Sequence, residues 1–286
     1  GLQITYEPEI TPEQILEKIE NFEVIIVRSR TKITKDMIEK ANKCQIIARV
    51  GVGLDNIDQA AAKEKNIRVI NAVEGAMNAV AELVLGLMLS LAREIPRADR
   101  EVRNGNWIKK ELMGTELRGK YLGIVGLGNI GKRLGRLARA LNMNIIGYDV
   151  VPIDEEFSSE VGLMKADLGT LLSSSDYVSL HVPLLDSTKH LINAEKMSTM
   201  KNTSRIINTS RGGVIDEEAL YEFLKDGKLG GAALDVFEVE PATSNKLASL
   251  PNFISTPHMG AQTKEAQSLA ANVIAEKIIQ ILRGVT

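Results

Sequence analysis

At 286 residues the chain is long enough for two compact domains, and 44% hydrophobic with 25% charged residues is ordinary for a globular enzyme. A formal net charge of −2 excludes a general electrostatic drive toward nucleic acid or anionic membranes. The single cysteine, Cys44, excludes an internal disulfide, which fits a structural thiol in a reducing cytoplasm.

The first 72 residues alternate strand and helix signals. Apolar runs at Val24–Val27, Ile46–Val50 and Ile67–Ile70 read as strands. Thr11-Pro12-Glu13-Gln14 supplies a cap, a first-turn proline and the Gln of a capping box, while Thr34 and Asp58 are plausible starts for the next two helices. Such alternation predicts a parallel sheet covered by helices. Residues from Asn78 to about Pro96 read as one long apolar helix. Its most apolar part, Ala79 to Ala92, is too short for a bilayer span, so a buried helix and no membrane are expected. No signal-peptide pattern precedes it.

Gly126-Leu127-Gly128-Asn129-Ile130-Gly131 follows the strand-like run Lys120–Val125 and opens a helix-like stretch, Lys132–Ala140. Asp149 comes 18 residues after Gly131, past a second strand-like run, Asn144–Tyr148. This is the context of a dinucleotide fingerprint. The first glycine permits a tight turn, the second admits backbone N–H groups to a pyrophosphate, and the third lets helix and strand pack closely. The partial positive charge of the helix start suits the phosphates. Asp149 can accept from a ribose diol and would repel a 2′-phosphate, so NAD is expected rather than NADP. Because about 120 residues precede this motif, a second structural unit is required. Strand candidates continue at Asp176–Leu180, Ser204–Asn208, Gly231–Leu234 and Asn252–Ser255, and Thr263–Arg283 reads as a final helix. The expected architecture is α/β with two doubly wound parallel-sheet domains. Residues 73–259 form a Rossmann-type nucleotide domain, and 1–72 with 260–286 form the other.

In open parallel sheets ligands bind beyond the carboxyl ends of the strands. Four downstream strands end at His181, at Asn208–Gly213 with Arg211, at Asp235, and at Thr256-Pro257-His258, so they aim His181, Arg211, Asp235 and His258 toward one edge. Arg211 can grip a carboxylate through two bonds, and His258 can exchange a proton with a carbonyl or hydroxyl oxygen. A neighbouring carboxylate would orient that His; spacing leaves both Asp235 and Glu240 as candidates. Taken singly, Arg211 could equally be a surface ion-pair partner, His181 a strand cap and Asp235 a helix cap.

Jointly, Val27–Lys32, Gly51–Asp58, Met113–Leu117, Gly126–Gly131, Asn208–Gly213, Asp235–Pro241 and Pro257–Ala261 resemble the D-isomer-specific 2-hydroxyacid dehydrogenases, above all their phosphoglycerate dehydrogenase branch. The resemblance implies catalytic roles for Arg211 (substrate carboxylate), Glu240 (support of the His) and His258 (acid/base). It implies cofactor contacts at Gly126, Gly128, Asn129, Ile130, Gly131, Asp149, His181, Val182, Pro183, Thr209, Ser210, Asp235, Gly260 and Ala261. Val52 and Gly53 match a loop facing substrate, and Arg28 matches a phosphate-contacting position. Lys109 stands where close relatives tend to have Arg, and Lys109-Lys110 could simply be a solvated pair. No metal is implied. The first unit and final helix become a discontinuous, flavodoxin-like substrate domain. A homodimer built on the nucleotide domains and a phosphorylated 2-hydroxyacid substrate in the cytoplasm are expected. The branch begins with a strand and helix before the position of Gly1, which are expected to be missing here, and many relatives carry a regulatory region beyond the position of Thr286. The implied reaction is oxidation of D-3-phosphoglycerate. A glyoxylate or hydroxypyruvate reductase is the alternative, and an NAD-sensing corepressor a third reading.

Overall fold

The computed structural model describes residues 2–284, so the expectations tied to Gly1 and Thr286 lie outside the described residues. In chain order the elements are α1 (Pro12–Lys18), β1 (Val24–Val27), α2 (Lys35–Lys40), β2 (Ile46–Arg49), α3 (Gln59–Glu64), β3 (Arg68–Asn71), α4 (Val73–Arg93), α5 (Ile95–Arg103), β4 (Tyr121–Val125), α6 (Asn129–Ala140), β5 (Asn144–Tyr148), α7 (Glu155–Val161), β6 (Met164–Lys165), α8 (Leu168–Ser174), β7 (Tyr177–Leu180), α9 (Ala194–Ser198), β8 (Arg205–Asn208), α10 (Glu217–Lys225), β9 (Gly231–Leu234), β10 (Phe253–Ser255) and α11 (Lys264–Leu282). Two compact units result. One takes the residues up to Ala76 and those from Ala261 onward; the other runs from Met77 to Gly260. The first crossing thus falls inside α4 rather than at residue 72.

In the first unit, β1, β2 and β3 form a parallel three-stranded sheet in that order. The capping box forms as expected: Gln14 N–H donates to Thr11 Oγ1 (3.3 Å) and Thr11 N–H to Gln14 Oε1 (2.9 Å). Asp58 caps α3 through Ala61 N–H at 2.9 Å, whereas Thr34 precedes α2 without a side-chain cap. The apolar stripe Ala270, Ile274 and Ile278 of α11 buries itself against Ile46, Ala48 and Ala72. Cys44 is buried, its Sγ donating to Ile46 O at 3.4 Å, and burial pushes its thiol up to about 11. It is an inert packing residue.

The second unit holds a seven-stranded parallel sheet in the order β10-β9-β8-β7-β4-β5-β6. Period-two alternation sends Leu122, Ile124, Ile145, Tyr177, Ile207 and Ala233 to one face, beneath residues of α4, α6 and α7. Val125, Ile146, Val178, Leu180, Ile206, Ala232 and Leu234 pack on the other face with residues of α8, α9 and α10. Buried on both sides, these strands are short apolar runs, which is why they were legible. Strand order reverses between β4 and β7, and that switch point opens the crevice where ligands bind in such sheets.

The long apolar helix differs from expectation at both ends. It starts at Val73, and it breaks at Glu94, which sits in the left-handed region at φ 51°. In a continuous helix the Pro96 ring would meet the Ala92 carbonyl. The break instead frees that carbonyl to accept Thr115 N–H at 2.9 Å, and Pro96 joins the first turn of α5. Among the described residues α4 is the one helix long and apolar enough to cross a membrane, but 56% of its apolar window is buried and Ala81 to Ala92 line the core.

Candidate active site

The glycine turn joins the end of β4 to α6, at the switch point. α6 begins at Asn129, three residues before the expected Lys132, so Asn129, Ile130 and Gly131 make its first turn. Their N–H groups have no intrahelical acceptor, and Gly128 at the cap position offers no side chain to cover them. Gly126 adopts φ +94°, and a Cβ on it would lie 2.8 Å from His181 O. A Cβ on Gly131 would lie 2.1 Å from Gly126 O, so only glycine lets the helix start so close to the strand. At Gly128 a Cβ would meet nothing within 4 Å: the space before the helix is open. Asp149, just past β5, accepts Leu127 N–H on Oδ2 (2.6 Å) and Val151 N–H on Oδ1 (3.1 Å). Each oxygen keeps a lone pair for a ribose hydroxyl. These residues fit a dinucleotide without displacement.

His181 follows β7, with Val182 against Gly126. Its ring folds back, Nε2 lying 2.9 Å from Ser179 Oγ, and burial pushes its pKa down to about 4. It is a neutral strand-end residue at neutral pH and not a proton carrier. Pro183 is exposed beyond it.

The turn after β8 is built by one buried side chain. Asn208 accepts Ser210 N–H (3.0 Å) and Ser210 Oγ–H (2.7 Å) on Oδ1, and its Nδ2 donates to Arg211 O at 2.8 Å. Arg211 Nη1 in turn donates to Ser210 O at 2.7 Å. Thr209 Oγ1 is buried and has no hydrogen-bond partner among the described residues. Gly212 is obligatory: a Cβ there would lie 1.8 Å from Phe237 O, so the Arg211 turn presses directly on the loop that carries Glu240.

Of the two candidate acids, Glu240 is the one at hydrogen-bond distance from His258. His258 Nδ1 lies 2.8 Å from Glu240 Oε2, and Phe237 N–H donates to Glu240 Oε1 at 3.1 Å. Asp235, 1% exposed, instead clasps the turn itself: Oδ1 accepts Thr256 Oγ1–H (2.5 Å) and Met259 N–H (2.9 Å), and Oδ2 accepts Gly260 N–H (2.9 Å). That clasp holds His258 at φ 52°, a conformation a non-glycine residue adopts at a cost. A carboxylate can only accept, so Nδ1 is the donor in this pair, which leaves Nε2 of the half-exposed ring as the nitrogen able to exchange a proton. Nucleotide turn, Arg211 and the Glu240–His258 pair all stand at the carboxyl edge of one sheet.

In the other unit, Arg28 directly follows β1, and Asn56 Nδ2 donates to Arg28 O at 2.9 Å. Its guanidinium donates to Gln267 Oε1, and Gln267 Nε2 donates to Ala261 O at 2.8 Å. Val52 and Gly53 form the loop after β2, where Val52 O accepts from Asn71 Nδ2. Lys109 lies exposed on a 3-10 turn, Lys109–Glu111, of the nucleotide unit. Sequence reasoning quoted Asn208 and Thr256 inside motifs without giving them work. Glu238 was quoted only inside the Asp235–Pro241 motif, and Glu217 was given no role, because an acid at a helix start reads first as a dipole complement.

Residues 85–260 match the family model of the D-isomer specific 2-hydroxyacid dehydrogenase, NAD binding domain. The chain is 49% identical over 276 residues to a D-3-phosphoglycerate dehydrogenase of Methanocaldococcus jannaschii, covering 96% of this chain and 52% of that protein. It is 47% identical over 284 residues to a hydroxypyruvate reductase of Thermotoga maritima, covering 98% of this chain and 91% of that one. Among solved structures, a D-lactate dehydrogenase from Aquifex aeolicus complexed with NAD and lactic acid superposes with a TM-score of 0.85 at 30% identity, over 94% of this chain and 85% of that one. The chain spans about half the length of several phosphoglycerate dehydrogenases it matches. With the glycine turn at the switch point and the matched NAD binding domain around it, the chain belongs to the D-isomer-specific 2-hydroxyacid dehydrogenase family.

Proposed function

We propose that this chain oxidises D-3-phosphoglycerate to 3-phosphohydroxypyruvate, the first step of phosphorylated serine biosynthesis. The observation that carries the reading is the 2.8 Å Glu240–His258 pair, set on a clasped turn at the edge that also bears Arg211. When bound, NAD supplies the hydride acceptor. Arg211 fixes the substrate carboxylate through two charge-assisted bonds. His258 Nε2 takes the hydroxyl proton, and Glu240 stabilises the imidazolium that results. The phosphate calls for cations, and we assign Arg28 and Lys109 to it on the family resemblance.

Two further features belong to this proposal. α5 buries none of its residues, and Ile95, Val102, Trp107 and Met113 expose large apolar surface on and after it, which supports a homodimer through the nucleotide unit. A single buried thiol suits a reducing cytoplasm.

The similarity to a hydroxypyruvate reductase over nearly its full length supports a second reading, reduction of unphosphorylated hydroxypyruvate. The test is kcat/KM with NADH for phosphohydroxypyruvate against hydroxypyruvate. The proposal predicts a preference for the phosphorylated acid that Arg28→Gln abolishes. Equal use of both acids would favour the reductase, and no turnover of any 2-oxo acid would favour an NAD-sensing binding protein.

A further inference from the structure

The loop that carries Glu240 leaves β9 and reaches a short 3-10 turn at Lys246–Ser249, with no regular structure of its own. Something must hold it, since Glu240 has to meet His258 at hydrogen-bond distance. One side chain grips it on both sides of Glu240. Glu217, in the first turn of α10, accepts Glu238 N–H on Oε1 (2.6 Å) and Asn245 Nδ2 on Oε2 (2.6 Å). The Glu238 carboxylate returns the contact by accepting Glu217 N–H at 3.2 Å, and it also meets His190 Nε2 at 3.0 Å. His190 N–H donates to Gly213 O at 2.7 Å, which ties the same knot to the Arg211 turn. Asn245 cannot reverse its amide freely, because its Oδ1 accepts Leu247 N–H at 3.0 Å.

This arrangement has an electrostatic cost. Burial, then the neighbouring charges of Glu238 and Glu240, raise the Glu217 carboxyl above its usual range. Two short bonds to donors on the loop offset that cost. A helix start needs no acid at such expense, since Asp216 already caps α10 through Ala219 N–H at 3.0 Å.

We propose that Glu217 is a positioning residue for Glu240: by bracketing the loop at Glu238 and Asn245 it holds the Glu240 carboxylate against His258 Nδ1. Its side-chain contacts run to the loop, through Glu238 N–H and Asn245 Nδ2, so it acts through Glu240. The proposal rests on the acid/base reading of His258, so its test needs a readout that does not depend on turnover.

The chain has three histidines, so the ring nitrogens of His258 can be assigned by 15N NMR in the intact protein. Wild type is expected to show the Nδ1–H tautomer that donates to Glu240. In Glu217→Ala that tautomer gives way to the mixture of a free imidazole, kcat falls about tenfold through loss of alignment, and NADH affinity is unchanged. Glu217→Gln keeps an acceptor for Glu238 N–H and recovers most of both. If Glu217→Ala does not fold, Asn245→Ala loosens the far end of the loop and is expected to move the tautomer and kcat the same way. A wild-type tautomer and kcat in the folded variants would overturn the assignment, as would a parallel fall in kcat and NADH affinity. A wild type that turns over no 2-oxo acid sinks the proposed function instead, and the tautomer still decides the role of Glu217.

Discussion

Two turns on the same sheet edge are built by opposite means. The nucleotide turn works by lacking side chains: Gly126 and Gly131 remove atoms that would strike His181 O and Gly126 O, and Gly128 leaves the helix start open. The His258 turn works by burying one. Asp235 binds three donors so that His258 can stay in a left-handed conformation beside Glu240. Backbone N–H groups suffice for a ligand whose charge is diffuse and fixed. A proton donor must be aimed, and aiming requires side chains that are themselves held.

If the two turns are separate devices, substitutions should damage one function and spare the other. The largest effect is expected at His258→Ala, with kcat lower by on the order of 10² to 10⁴ and NADH binding by fluorescence retained. A near-wild-type rate would remove His258 from the acid/base role. Gly131→Ala is the converse. Its Cβ must push helix from strand, so NADH affinity should drop sharply and stability fall by about 1–3 kcal/mol in a denaturant titration. Retained affinity would show that the close approach is dispensable.

Arg211→Lys sharpens the comparison from the substrate side. Loss of the two-pronged grip should raise KM for the oxo acid by about 10- to 100-fold, equivalent to about 1.5–3 kcal/mol, without changing NADH affinity. A change confined to the cofactor would place Arg211 with the wrong ligand. Asp149→Ser should cost about tenfold in NAD affinity and narrow the discrimination against NADP, measured by titrating both. Unchanged discrimination would count against the ribose contact.

The smallest effect concerns His181, at the end of β7 between the strands that carry the two turns. Its folded-state pKa of about 4 lies below its ordinary value of 6.5. Between those values the unfolded chain binds more protons, so its contribution to stability is present above pH 6.5 and is lost as pH falls through about 4. His181→Asn should therefore flatten the fall in stability across that window by about 1–3 kcal/mol, read as Tm against pH. A slope identical to wild type would mean the ring titrates normally.

The same contrast explains what was legible. Glycine spacing, apolar runs buried on both faces and a terminal helix stripe are local patterns, so β5 and β9 could be read residue by residue, β4 to within one residue, and the nucleotide turn in place, though its helix starts three residues earlier than read. The capping box of α1 was legible for the same reason. The break at Glu94 was not, because it depends on where the Ala92 carbonyl finds a partner 23 residues later, at Thr115. Nor could spacing choose between Asp235 and Glu240: both lie within a short run after one strand, and only the fold shows which carboxylate faces the turn backbone and which the ring. Glu217 was invisible because its partners, Glu238 and Asn245, are brought to it only by the return of the loop.

The central claim is that Glu240 acts on His258 and on nothing in the nucleotide turn. Glu240→Gln keeps size and removes the charge, so turnover and NADH affinity measured on the same preparation test it directly. The account predicts that kcat falls by at least about tenfold while NADH affinity holds. Full activity, or a fall in affinity that accounts for the lost rate, would contradict it.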